Sequence, residues 1–235
     1  MLQGASAVLG YAIEASDGRI GSVGDFLFDD ADWTIRWLVL DLGTWLPGRK
    51  LLLHPESITG ADRDARQLHV ALTKAEVRGC PNILDDQPVS RQIAEHLAAA
   101  QARGLLAPGG ASPVLPAIDD APGDAHLRSL AAVKGYAIHA DQGEVGFFAD
   151  IVVDSATWLL RYLVVGTTLQ APGELVLLLL APASVRDISW ADRQIHIAAS
   201  REGLLTGPAW VPAKAAEQDH QWPQGHYRQA AAPAE

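Results

Sequence analysis

The stretch Gly10 to Val39, GYAIEASDGRIGSVGDFLFDDADWTIRWLV, is written a second time, without a gap, as Gly135 to Val164. Fourteen of the 30 aligned positions are identical: Gly10, Tyr11, Ala12, Ile13, Ala15, Gly18, Gly21, Asp25, Asp29, Ala31, Trp33, Arg36, Leu38 and Val39. A chain with this repeat folds as two copies of one small unit. At roughly 75–80 residues, each unit sits near the lower limit for an independent hydrophobic core.

Each copy reads as short strands separated by turn residues. Val8 to Ile13 predicts a first strand and Ser16-Asp17-Gly18 a turn. Ile20 to Phe28 alternates, with a kink near Gly21–Gly24. Asp29 to Asp32 turns the chain, and Trp33 to Leu42 is the densest strand signal. Gly43 to Arg49 forms a loop before a strand over Lys50–His54, closed by Pro55. Short strands follow at Ile58 and Gln67–Ala71. Thr73 then caps a helical turn over Lys74–Arg78, ended by Gly79 and Pro81. Later in the second copy the offset grows from 125 to 127, matching Pro55 with Pro182, Gln67 with Gln194 and Pro81 with Pro208. Six short strands and a terminal helical turn per copy predict a mainly β chain of two small barrels, closed or nearly so.

The copies are joined by RQIAEHLAAAQARG, which Ser90 can cap and Gly104 can end, a helix with a weak apolar stripe. Residues 105–123, rich in Ala, Pro and Gly, read as a mobile linker. The expected divisions are therefore 1–84 for the first barrel, 85–130 for the connection, 131–212 for the second barrel and 213–235 for a tail. In that tail, Trp222 and Tyr227 are able to pin it to a surface.

The continuous apolar runs Leu38-Val39-Leu40, Leu51-Leu52-Leu53, Leu163-Val164-Val165 and Leu175 to Leu180 place apolar side chains on both faces of their strands. The outer faces must therefore be covered by the connecting helix, the other barrel or a second chain. Net charge of −10 opposes binding to nucleic-acid phosphates or anionic membranes. The single cysteine, Cys80, excludes an internal disulfide and a cysteine-based zinc site. No apolar run approaches the ~20 residues of a spanning helix, and the N-terminus lacks the features of a signal peptide. A cytoplasmic protein is the expectation.

These residues resemble the PRC-barrel family, named for the cytoplasmic domain of the photosynthetic reaction-centre H subunit. The likeness rests on the GYAIEASDGRIGSVGDFLFDD opening and on the Trp33–Val39 and Trp158–Val164 cores. It extends to the Pro55–Ile58 segment, the Thr73–Pro81 helix and the approach AHLRSLAAVKGYAIHA, similar to the interdomain sequence of tandem PRC-barrel proteins from bacteria. The resemblance implies two tandem PRC-type β-barrels, each ending in a short helix, and a scaffold that docks proteins. It leaves open peripheral association with a membrane complex. The membrane helix of the H subunit has no counterpart here.

Candidate sites are sparse. Asp25, Asp29 and Asp30, with Asp150 and Asp154, invite a cation or proton role, but Asp at strand ends ordinarily bonds turn N–H groups. Arg36 and Arg161 recur within apolar strands, able either to hold an anion or to pair with a repeated Asp. The eight histidines show no metal spacing such as H-E-x-x-H. Trp45, which has no equivalent in the second copy, and Leu46 lie in the Leu42–Pro47 loop and are candidate partner contacts. No phosphate loop, nucleophile elbow or activated thiol occurs in the sequence.

The reading is a non-enzymatic adaptor without catalytic, cofactor or metal residues. It binds a protein partner, and itself as a homodimer, through apolar outer faces, with Trp45, Leu46, Arg36 and Arg161 as contact residues. The alternative is a small-ligand or metal sensor using one barrel mouth and the Asp25/Asp29 carboxylates.

Overall fold

The structure is a computed structural model that describes residues 2–43, 48–92, 95, 124–170 and 173–214. In the first copy the strands are β2 (Ala12–Ala15), β3 (Gly18–Asp29), β4 (Ile35–Asp41), β5 (Lys50–Leu53), β6 (Ile58–Asp62) and β7 (Gln67–Val70), followed by helix α1 (Lys74–Arg78). The second copy repeats them as β9 (Ala137–Ala140), β10 (Gly143–Asp154), β11 (Leu160–Thr167), β12 (Val176–Leu180), β13 (Val185–Ser189) and β14 (Gln194–Ile197), with helix α3 (Arg201–Leu205). Ahead of each copy lies one more short strand, β1 (Leu2–Gly4) or β8 (Leu127–Ser129), the latter leading into helix α2 (Leu130–Val133). The expected first strand begins later than its pattern suggests, because residues 8–10 continue the 3-10 segment as a turn, with Gly10 at positive φ and the Tyr11 N–H donating to Val8 O.

Each copy makes one mixed sheet, in the order β5-β4-β3-β2-β7-β6 or β12-β11-β10-β9-β14-β13. All neighbours are antiparallel except β2 with β7 and β9 with β14. The sheets are not closed barrels. The two outer strands, β5 and β6, follow one another around a 3-10 turn at Pro55–Ser57, and their edges remain unpaired with each other among the described residues. Pro55 lacks an N–H and cannot extend a ladder, so the chain turns a corner there rather than completing a ring. Pro182 does the same in the second sheet.

The seventh strand of each sheet comes from the other copy. β1 precedes the first repeat but pairs with β10 of the second, Gln3 facing Val153. β8 precedes the second repeat but pairs with β3 of the first, Arg128 facing Phe28. The exchange is reciprocal, and the two arms stand 125 residues apart, the same offset as the repeat. Gly10 and Gly135, both at positive φ (76° and 85°), turn the chain from the exchanged arm back into its own sheet, a backbone region open to glycine at little steric cost. The divisions expected from sequence, 1–84 and 131–212, thus cut across the sheets.

The exchange answers how the apolar runs are covered. Leu38, Leu40, Leu51, Leu53, Leu163, Val165, Leu178 and Leu180 join one core that runs through both halves. On the outer face of the first sheet, Leu27, Val39 and Leu52 are buried under Leu127 of β8, with Trp37 and Ile83 at the margin. On the second, Val152, Val164 and Leu179 are buried under Leu2 of β1 and Trp210. The covers are the other copy's arm and the segment after each helix, which also pairs with the outer strand: Leu52 N–H donates to Pro81 O and Leu179 N–H to Pro208 O. Most of the outer-face area expected to dock a partner is therefore spent within the chain.

Local chemistry follows the sequence. Thr73 accepts the Glu76 N–H while Glu76 accepts the Thr73 N–H, a capping box at the head of α1. The kink expected near Gly21–Gly24 appears as a register shift between Val23 and Asp25. A Cβ on Gly21 would lie 2.3 Å from the Asp41 carbonyl oxygen, and one on Gly146 as close to that of Gly166, so the strand crossing at these equivalent positions requires glycine. The connecting helix expected from Ser90 is helical over residues 89–92 and at 95. The remainder of that helix, the 105–123 linker and the tail residues Trp222 and Tyr227 lie outside the described residues.

Candidate functional site

Each exchanged arm is pinned by a buried carboxylate at an equivalent place in the long strand. Asp25 accepts the Ser129 hydroxyl at 2.5 Å, the Ala131 N–H at 3.0 Å and the Phe26 N–H at 2.8 Å. Asp150 accepts the Ser6 N–H at 3.1 Å and the Ile151 N–H at 2.8 Å. Gly4, opposite Ser129 in the repeat, leaves room for that carboxylate, since a Cβ there would lie 2.9 Å from it. Burial pushes both carboxyls above their ordinary value, against these bonds and against the charges of Lys50 and Lys134. The acceptor atoms of Asp25 are engaged in holding the arm, not offered to a ligand.

A second cluster lies where β8 meets the turn between β3 and β4. Asp30 is held by Arg128 Nε at 2.5 Å and meets His126 Nδ1 at 2.7 Å. Asp29 is paired with Arg36, which also reaches Asp124 at 3.4 Å. For Asp29, burial raises the carboxyl, but the Ala31 N–H and the Arg36 guanidinium outweigh it and hold the group below its usual range. A cleft of about 210 Å³ opens beside this cluster, between Asp30, Trp33, His126 and Arg128 on one side and Arg186 and Asp187 of β13 on the other.

Asp29, Asp30 and His126 offer ligand atoms within 4.8 Å of one another. The guanidinium groups of Arg36 and Arg128 already supply positive charge to both carboxylates, so an incoming cation would compete with two placed guanidinium groups. The arrangement acts as an ionic clamp tying β8 to the first sheet. The other seam is plainer. Ser155 stands where Asp30 does and Gln3 where Arg128 does, leaving Arg161 with Asp154 at 3.5 Å.

Of the residues singled out from sequence, Arg36 and Arg161 lie on β4 and β11, each about half exposed and each paired with the Asp seven residues before it. Trp45 and Leu46 lie outside the described residues. His69 is exposed on β7, whereas His196 is half-buried, its ring 5.7 Å from that of His139. The sequence reading missed His126, Arg128 and Asp124. Their signal was the arm's own likeness to residues 1–10, which carries meaning only once strand exchange is seen.

It also missed an apolar tip on the second half. Phe147 (38% exposed), Leu169 (40%) and Leu175 (56%) gather around the β11–β12 hairpin. Phe147 faces Gly166 across the ladder and Gly166 faces Leu177, placing the ring on the outer face. Its ring lies over Gly166, where any Cβ would collide with it at 2.4 Å. In the first half the equivalent residues are Ser22 and Asp41. The outer apolar face of the second sheet therefore outruns its cover of Leu2 and Trp210.

No protein-family model matches the chain, and no curated protein matches it either. No helix among the described residues is long and apolar enough to cross a membrane.

Proposed function

We propose that this chain is a tandem PRC-barrel-type scaffold that works as a protein-binding adaptor rather than as an enzyme. The observation that supports the reading is the apolar tip of Phe147, Leu169 and Leu175. Exposed aromatic and aliphatic side chains at one end of a sheet are what a partner's apolar anchor needs. Among the described residues the tip occurs in the second half alone, while the ionic clamp lies on the first sheet. The Trp45–Leu46 loop is the first half's counterpart of that hairpin and belongs to the same proposal. An acidic surface selects partners by charge.

The test is co-precipitation from the native host with wild type, with Phe147→Ser/Leu175→Ser and with Trp45→Ala, alongside a thermal-shift panel of divalent metals and metabolites. The adaptor reading expects the serine variant to lose a specific partner by tenfold or more, since truncating an interface anchor costs upwards of about 1.4 kcal/mol. Unchanged partners together with a stabilising small ligand would sink it; a ligand at a hundred times its Kd adds about 2.7 kcal/mol.

A further inference from the structure

We infer that a second copy of this chain can take the place of its own other half, giving a dimer built by exchange of the arms β1 and β8. Each half lacks a strand of its own and has its outer leucines capped by the other's arm. The core is continuous between them: Phe26 of the first half stacks on Trp158 of the second, with ring centroids 6.0 Å apart. Neither half is finished without a partner, but nothing in these contacts depends on which chain supplies it. The same ladder, the Asp25–Ser129 bond and the Asp30–Arg128 pair all form equally well between chains.

What selects the closed monomer is the tether. Gln92 Nε2 donates to the Asp124 carbonyl oxygen at 3.1 Å, so residues 93–123 leave and return at nearly the same point. A tether that returns close to its starting point gives an effective concentration on the order of 1 mM. Exchange between chains competes only when the chains themselves approach that concentration, and it requires both seams to open, so a folded monomer exchanges slowly. If the apolar tip binds a partner, as proposed above, the exchanged dimer presents two tips.

The experiment uses full-length chains in a Cys80→Ser background. One variant carries Gln3→Cys and another Val153→Cys, residues that face each other across the β1–β10 ladder. Facing residues in an antiparallel pair lie about 4.5–5.5 Å apart at Cα, within disulfide reach. The two variants are unfolded together, refolded at totals from about 1 µM to about 1 mM, and oxidised. The expected result is an interchain disulfide whose yield rises at least several-fold over that range and which is nearly absent when already folded chains are mixed.

A yield no higher than that of Val153→Cys with the exposed control Thr59→Cys, at every concentration, overturns the inference. Arg128→Cys with Phe28→Cys reads the other seam and serves where the first pair impairs folding. Adding Phe147→Ser/Leu175→Ser leaves the yield unchanged, because the exchange does not use the apolar tip. Failure here and failure of the adaptor reading are thereby told apart.

Discussion

Ser129 donates its hydroxyl to the Asp25 carboxylate across 2.5 Å, although 104 residues separate them in the chain. The bond joins the arm of one repeat to the long strand of the other; in the second seam Gly4 stands where Ser129 does, and Asp150 accepts the Ser6 N–H as Asp25 accepts that of Ala131. Replacing Asp25 by Ala strands the Ser129 hydroxyl and the Ala131 and Phe26 N–H groups. The expected cost is about 1–3 kcal/mol, read as a lower urea midpoint at unchanged slope.

The buried carboxylates also set a pH dependence with a definite sign. Burial raises the Asp25 and Asp150 carboxyls above their unfolded value, near about 3.9. Their contribution to stability is fully present below that value and is lost as pH rises through the raised native one. Relative to Asp25→Asn/Asp150→Asn, wild type should lose stability as pH climbs from about 4. Asp29, lowered in the fold, has the opposite sign: its contribution is present above the unfolded value and is lost as pH falls through the native one. Urea midpoints across the acid range check both, and the first fails if the difference between wild type and the double variant is flat.

Trp33 and Trp158 sit at equivalent positions with φ of 59° and 55°, a region costly for any residue with a Cβ. Each ring offsets that cost by stacking, Trp33 on Phe28 and Trp158 on Phe26. Removing the ring from Trp158, which is buried, should cost about 3–5 kcal/mol. Trp158→Gly should nonetheless be more stable than Trp158→Ala by about 1 kcal/mol, reversing the usual order of these residues in strands. Thermal melts of the two variants decide it.

Tyr136 is buried, yet its hydroxyl meets no hydrogen-bond partner. Its ring lies under the Arg193 guanidinium, 5.5 Å from the centroid, as Tyr11 lies under Arg66 at 5.2 Å. An unpaired buried hydroxyl is a net cost, so Tyr136→Phe should leave stability unchanged or raise it by up to about 1 kcal/mol. A clear loss would mean that the hydroxyl is paired in solution.

The Gln92–Asp124 bond brings the ends of the connection together. Cutting the roughly 30 residues between them to about eight should preserve the fold and add about 1.2 kcal/mol, at about 0.6 kcal/mol per halving of loop length. The same deletion should suppress exchange between chains. Loss of folding would show that the excised residues carry contacts of their own.

Much of this was legible in the residues. The repeat gave two equivalent units, the glycines at Gly21–Gly24 marked a kink in the long strand, and Thr73 marked a helix start to the residue. These signals are local, carried by backbone demands within a few positions. The apolar runs correctly required a cover for both strand faces. What covers them was not legible, because Leu2 and Leu127 look like unremarkable leader residues until the chain is folded. Nor was the open edge, since hydrophobic alternation is the same in a sheet that closes and one that turns a corner at proline.

The sequence by itself determined that two like units form, which strands build them and that the strands are greasy on both sides. Only the tertiary structure decided that the units trade their leading strands, because that choice depends on which surfaces meet at long range. The energy of burying Leu127 on Val39 and Leu52 is written in no neighbouring residue.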